Sequence, residues 1–395
     1  MLVDAGELPL DLRRQSLLVR YWYRIQRIPD SLTCKTIFND RYFNIYDKYS
    51  SFPKPFGYRV LNLLDEFDIP RIKIQPIKYS AVPPWRLPSA KHCRYFTGTK
   101  QDLSDEMIRL TFLEHVEEQS DSILVFTDGS KSDAGVGFGV VFPNFSRSGR
   151  LPNQASIFTA ESFAILTALK EIASHPRENY VLFSDSKSAL QAVEHFNTAH
   201  PIILAILEWI YLIESRGCNI SLCWSPAHVG IEGNERADSL AKSATSNTSV
   251  VNCPLPASDM FAVIKSAVSD AWQFCWELEN QKMKEITNSI HPWKYFQLSR
   301  RYEVVLSRLR IGHTKLTHSF LMNRSPQPFC DDCLVPLTVR HIIIECPSYI
   351  HERGKYFSNC KDGEGNYSLS KILGFNFKVN NLFRYIEEIG ILSKI

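Results

Sequence analysis

The chain has 395 residues, 44% hydrophobic and 22% charged, which is the make-up of a folded protein of two or three domains. Its formal net charge of +3 is too small over that length to argue for a polyanionic partner from charge alone. The same composition excludes a collagenous, low-complexity or mainly disordered chain.

The opening residues Met1 to Glu7 have neither the basic start nor the apolar core of a signal peptide. Residues 1–90 combine short helical stretches, Leu10 to Ile28 among them, with Pro, Tyr and a basic series at Arg13, Arg14, Arg20, Arg24 and Arg27. The Pro-rich "AVPPWRLPSA" and residues 91–120 after it read as a linker. Residues 121–246 then alternate strand and helix patterns. "ILVFTD", "GVGFGVVF" and a short "ASIF" are expected strands, and "TAESFAILTALKEIA" an amphipathic helix. "YVLFSD" is a fourth strand and leads into the helix "SKSALQAVEHF". "PIILAILEWIYLIES" is a largely buried helix, whose run Ile202 to Ile213 is too short for a bilayer and carries Glu208. "NISLCWSP" is a fifth strand and "EGNERADSLAKSA" a last helix. The order predicts an α/β domain, a mixed five-stranded sheet flanked by helices. A polar linker, 247–258, leads to a helical basic region at 259–325, a Cys/His segment at 326–360 and a tail at 361–395. Ten cysteines, many within predicted elements, do not read as a secreted disulfide scaffold and point to a reducing, intracellular setting. No membrane partner is expected.

Four acids stand out in the mixed domain. Asp128 is expected to end the first strand and Asp185 the fourth, with Glu161 in the first turn of the first helix and Asp238 in the last helix. Carboxylates at the ends of neighbouring strands lie close, because strands are under ~5 Å apart. Four of them in one partly desolvated cleft repel one another, and hard divalent cations relieve that, so a two-Mg²⁺ site is expected. Each acid also has an ordinary reading. Asp128 suits a turn in "TDGS", and Asp185 suits a helix N-cap beside Ser186 and Ser188. Glu161 can complement a helix dipole, and Asp238 can pair with Arg236 or Lys242.

Taken together, "FTDGS", "FTAESFA", "LFSDSKSAL" and "SPAHVGIEGNERADSLAK" resemble the four acidic motifs of the ribonuclease H type 1 family, in order, over about Ser122 to Ala244. The resemblance implies metal-dependent hydrolysis of the RNA strand of RNA–DNA hybrids, with Mg²⁺ (Mn²⁺ as a substitute) held by Asp128, Glu161, Asp185 and Asp238. By that resemblance Asp128 bridges two ions. Asp185 holds the one that activates water, and Asp238 and Glu161 hold the one at the leaving 3′ oxygen. His228 is then a mobile proton shuttle or an aid to product release, its alternative being a surface histidine without a role. Gly129 and Ser130 would face the minor groove of the hybrid, where 2′-hydroxyls mark RNA. "SIFTAE" departs from the polar, Asn-rich stretch common before the helix glutamate, and Lys187 has no assigned contact.

"CDDCLVPLTVRHIIIEC" sets Cys330, Cys333, His341 and Cys346 at C-x2-C-x7-H-x4-C, a quartet suited to a structural Zn²⁺. A reduced C-x-x-C beside an unrelated histidine, or a redox pair, is the alternative, and His313, His318 and Cys360 are substitute ligands. Arg300, Arg301, Arg308, Arg310 and Lys315 offer a basic face for single-stranded RNA or DNA, or an ordinary solvated helix face. Two further stretches resemble jockey-type non-LTR retrotransposon polyproteins. "LVDAGELPLDLRRQSLLVRYWYRI" is similar to the segment after the reverse transcriptase, and Glu303 to Tyr349 to the C-terminal segment. No polymerase catalytic box is read in the chain; the one Phe-x-Asp-Asp run, Phe329 to Asp332, lies in the cysteine knuckle. The expected function is hybrid ribonuclease; the alternatives are a catalytically idle nucleic-acid-binding protein, or the same fold acting on single strands.

Overall fold

The structure, a computed structural model, describes residues 2–37, 43–49, 51–78, 80, 82–87, 91–93, 103–175, 178–197, 199–279, 282–291, 293, 298–375 and 377–395. The chain divides into two compact units, Ser16–Ala267 and Met1–Gln15 with Val268–Ile395.

The first unit is built on one sheet of order β1-β6-β5-β2-β3-β4. Its strands are β1 (Lys91–Cys93), β2 (Ser122–Ser132), β3 (Gly135–Val141), β4 (Ser146–Leu151), β5 (Asn179–Ser184) and β6 (Ile220–Trp224). β2, β3 and β4 form an antiparallel meander, while β2–β5, β5–β6 and β6–β1 run parallel. The mixed sheet with flanking helices is as expected, with β1 added at an edge. The helices are α1 (Asp105–Glu118), α2 (Ile157–Ser174), α3 (Lys187–Glu194), α4 (Pro201–Ser215) and α5 (Glu232–Ala244), followed by α6 (Ala257–Leu278).

Several expectations are corrected. The first strand does not end at Asp128 but runs on to Ser132, and the turn lies at Asp133 and Ala134. "ASIF" is not a strand. Ser156 caps α2, its hydroxyl accepting the Thr159 amide at 3.1 Å, and Ile157 begins the helix. Glu161 therefore stands beyond the first turn. The third strand is instead "SRSGRL", a half-exposed edge strand that need not carry an apolar alternation. In the stretch read as a linker, α1 is capped by Ser104 and buries Ile108 and Phe112. Residues 247–258 are docked rather than loose: the Val251 amide bonds the Arg150 carbonyl at 2.7 Å, and Leu255 is buried in the sheet's core.

The larger core fills the face covered by α2 and α4. Ala160, Ala164 and Ala168 let α2 lie close, and Ile202, Ile203, Ile206, Ile210 and Ile213 bury α4 on more than one side. Each such side chain contributes roughly 1.5–3 kcal/mol by leaving water. Part of the N-terminal basic series is structural. Arg24 lies 5.1 Å from the Phe261 ring centre, and Arg27 donates to the Ala199 carbonyl at 2.9 Å.

The second unit packs α7 (Arg300–Ile311), α8 (Ile350–Phe357) and α9 (Val379–Glu388) around a core containing Leu306, Ile343, Phe357 and Tyr385. Among the described residues no helix is long and apolar enough to cross a membrane.

Candidate active site and cysteine–histidine centre

Glycines decide how closely helices approach the sheet centre. Along β3, Val136, Phe138 and Val140 face the α2–α4 core, while the alternate Gly137 and Gly139 lie under α5. A Cβ on Gly137 would stand 2.4 Å from the Ala241 carbonyl oxygen, and one on Gly139 would stand 2.4 Å from that of Ala237. The α5 backbone thus rests directly on the strand. Gly139 is also the register partner of Asp128, and Asp238 follows Ala237, so this contact carries Asp238 to Asp128. Gly139→Ala is expected to cost about 1–3 kcal/mol by overpacking. An unchanged melting temperature would contradict the arrangement.

On the other face Gly129 meets α2. A Cβ there would lie 2.5 Å from the Glu161 amide nitrogen. The packing explains this glycine without reference to a substrate, and Ser130 beside it is half-buried. Because α2 and α5 cover opposite faces, Glu161 and Asp238 reach the centre from opposite sides.

Asp128 lies where the parallel ladder with β5 stops, at Thr127 opposite Ser184, and Asp185 stands one residue beyond that end. The two carboxyl groups hydrogen-bond to each other, and Asp128 Oδ1 also accepts the Gly129 amide at 2.7 Å. Asp128 is only 5% exposed. Burial, then the charge of Asp185, push its carboxyl up to about 8. Asp185 is also raised, by burial above all, with the Asp128 hydrogen bond and His228 pulling it back. Burial raises Glu161 too, and a hydrogen bond donated by the Ser186 hydroxyl opposes it. Asp238 adds negative charge to the Asp128–Asp185 pair and accepts Lys242 Nζ at 2.7 Å. His228 is exposed on the loop before α5, in the left-handed region at φ 55°, close enough to influence Asp185.

The ordinary readings are partly realised. Ser186, not Asp185, caps α3, and Asp238 does pair with Lys242. Lys187 acquires a contact, its ammonium 5.6 Å from the Trp224 ring centre, while Trp224 Nε1 donates to the Asp185 carbonyl at 3.0 Å. Sequence reasoning missed Ser186 as a partner of Glu161. Its signal was the cap position directly after an acid at a strand end.

Residues 120–246 match the family model for RNase H. This segment is an RNase H domain. Among solved structures, RNase H1 from the halophilic archaeon Halobacterium salinarum NRC-1 is 20% identical with a TM-score of 0.26, over 31% of this chain and 96% of that one. No curated protein sequence matches the chain.

Outside the RNase H domain, Cys330, Cys333, His341 and Cys346 place their ligand atoms all within 4.8 Å of one another. Leu334, at φ 54°, turns the knuckle tightly enough for the Cys330 amide to reach the Val335 carbonyl at 2.9 Å. Residues His341–Glu345 form a π-helical turn, closed by the Cys346 amide on the His341 carbonyl at 2.7 Å. That i to i+5 bond brings His341 and Cys346 to one side, where an α-helical turn would part them. Cys346 Sγ lies 3.9 Å from Cys330 Sγ and 3.7 Å from Cys333 Sγ. The Cys333 amide, then His341, lower the Cys330 thiol to about 7, while desolvation and the neighbouring sulfurs push Cys333 up to about 12. His341 Nε2 is buried without a hydrogen-bond partner. Three sulfurs and an orphaned imidazole nitrogen at these separations fit a tetrahedral ion. The substitutes lie elsewhere: His313 stacks on His318 with ring centres 3.9 Å apart, and Cys360 faces the Lys371 carbonyl.

The proposed basic face is smaller than the sequence suggested. Arg310 is 6% exposed, lies 3.8 Å from the Trp293 ring centre and donates from Nε to the Leu373 carbonyl at 3.1 Å. Arg308 is half-buried; Arg300, Arg301 and Lys315 remain exposed.

Proposed function

We propose that the RNase H domain hydrolyses the RNA strand of RNA–DNA hybrids, with divalent metal held by Asp128, Asp185, Asp238 and Glu161. The observation that carries this reading is Asp128, a carboxyl buried beside that of Asp185 and pushed up to about 8 by burial first and by that neighbour's charge second. Such a pair keeps a proton until something of higher charge replaces it, and hard oxygen donors suit Mg²⁺ or Mn²⁺. Bound there, the metal supplies an activated water and stabilises the charge on the leaving 3′ oxygen. Asp128, with Asp185 beside it, would be the carboxylate shared between ions; Asp185 would serve on the water side, and Glu161 and Asp238 on the leaving-group side. Ser186 orients Glu161. Lys242 holds Asp238 while no metal competes for it. His228, exposed on its strained loop, moves a proton at the rim or helps product leave. Ser130 and the backbone at Gly129, whose lack of a side chain is already accounted for by α2, would approach the minor groove of the hybrid.

In this reading Cys330, Cys333, His341 and Cys346 hold a structural Zn²⁺, with no position left for a substrate. By the same reading the chain derives from a jockey-type retrotransposon polyprotein, on the likeness of the stretches at Leu2–Ile25 and Glu303–Tyr349. Binding of single-stranded RNA or DNA by an idle protein is the weaker alternative, because the burial of Arg310 removes part of its surface.

The test is a panel of end-labelled substrates: hybrid, single-stranded RNA and duplex RNA, each with Mg²⁺. The hybrid should be cut at least about tenfold faster than the others, a preference of order 1.4 kcal/mol. Equal cutting of single-stranded RNA would move the reading to a single-strand nuclease. A second expectation concerns pH. Since metal must displace the Asp128 proton, apparent Mg²⁺ affinity should rise by up to about tenfold per pH unit below pH 8 and level off above it. Calorimetric titration from pH 6 to 9 checks this. A flat profile would contradict it.

A further inference from the structure

We propose that Asp259, on α6 and outside the segment matching RNase H, is a positioning residue for Glu161; the inference rests on the hybrid-nuclease reading of that site. Asp259 is 4% exposed. Its Oδ1 accepts the Ser156 hydroxyl at 2.8 Å and the Thr159 hydroxyl at 3.0 Å. These two residues are the cap and the first turn of α2, the helix that carries Glu161. The Ser156 hydroxyl accepts the Thr159 amide at 3.1 Å while donating its own proton to Asp259. On the other side of this cap, Lys131 Nζ on β2 donates to the Ala155 carbonyl at 2.7 Å.

The need for such a clamp arises from Gly129. At the point where α2 touches β2, the strand offers no side chain, only a bare Cα against the Glu161 amide. A glycine contact permits close approach but supplies no knob to fix how far the helix turns or slides. Besides the Ser186 hydroxyl on Glu161 itself and the apolar core, the start of the helix is fixed by a polar contact at Ser156 and Thr159. Asp259 adds a negative charge at the helix N-terminus, where the dipole favours it. It is itself anchored by Ala257, Met260 and Ile264, all buried. Its second oxygen, Oδ2, is buried without a partner. An ionisable group kept half-satisfied in a core is costly, and neutral side chains would fill the space more cheaply. The hydroxyl pair it holds gives a reason for its presence.

The test uses the full chain. Mg²⁺ binding is measured by calorimetry without nucleic acid, and hybrid cleavage is measured over a range of Mg²⁺, for wild type, Asp259→Ala and Asp259→Asn. Asp259→Ala is expected to weaken Mg²⁺ binding, and to raise the Mg²⁺ needed for half-maximal cleavage, by about 10- to 100-fold. Asp259→Asn keeps an acceptor for both hydroxyls and should recover most of that loss. If Asp259→Ala does not fold, Thr159→Val removes one arm of the clamp and should shift Mg²⁺ binding in the same direction by less. A lower melting temperature with an unchanged Mg²⁺ titration in every folded variant would overturn the inference and leave Asp259 a packing residue. If wild type binds Mg²⁺ and Asp259→Ala weakens it, yet no hybrid is cut, the nuclease reading falls and the positioning role stands. Absence of Mg²⁺ binding by wild type would overturn both.

Discussion

Asp128→Asn is expected to abolish hybrid cleavage, by about 10³-fold or more, and at the same time to make the metal-free protein more stable. The first effect is of the size seen when one essential electrostatic group is removed from a catalytic site. The second is a matter of linkage. The folded state holds the Asp128 proton up to about pH 8, whereas the unfolded chain releases it near the ordinary carboxylate range of ~4. Between those values the folded state binds more protons, so rising pH weakens the metal-free fold. An amide in that position cannot ionise and escapes this loss. Thermal melts in EDTA should therefore fall from pH 5 to 8 for wild type and stay flatter for the variant. A gain of each kcal/mol would appear as roughly 2–4 °C. A variant that loses cleavage and also melts lower at pH 8 would show that Asp128 serves the fold, not a metal.

Removing zinc should have the largest effect on stability. The knuckle from Phe329 to Cys346 buries few large side chains at its tip, where Leu334 and Phe329 are exposed. Its shape depends on the four ligands. Zinc-binding free energies in small metal-held modules are on the order of 10 kcal/mol, far more than such a loop gains from packing. A strong chelator, or Cys346→Ser, should expose the segment around Cys330 to proteolysis and release one equivalent of zinc. Protein purified with no zinc and equally protease-resistant would favour the simple reduced thiols. The geometry agrees with metal binding: the four ligand atoms lie within 4.8 Å of one another, and among the described residues His341 Nε2 is buried with no other partner.

The parts of the fold legible in the sequence are those with long periodic runs. The bounds of α4 and α5 are marked by Pro201 at the helix start and by the Pro and Gly of "SPAHVGI" before Glu232. The Gly–apolar alternation of β3 reads directly as a strand with one bare face, but only the structure shows that α5 fills it. Edge elements escaped, because β4 is built of Ser, Arg and Gly and needs no apolar face. α1 escaped because its buried stripe is only Ile108 and Phe112 among charges. Arg310 was misread for the opposite reason. A charge next to Leu309 on a helix suggests solvent, yet a guanidinium can be buried when an indole and a carbonyl receive it. Asp128, Glu161 and Asp185 could be singled out because each interrupts or ends an apolar element; Asp238, in a polar helix, is legible only through the resemblance of its motif. Asp259 could not, since its meaning depends on a hydroxyl pair about a hundred residues away.

The decisive measurement is cleavage of a hybrid carrying different labels on its RNA and DNA strands, by the full chain, with Mg²⁺ or with EDTA. Only the RNA strand should shorten, only with Mg²⁺, and the fragments should end in 5′-phosphate and 3′-hydroxyl. Cutting that persists in EDTA, or cutting of the DNA strand at the same rate, would contradict a metal-dependent hybrid ribonuclease.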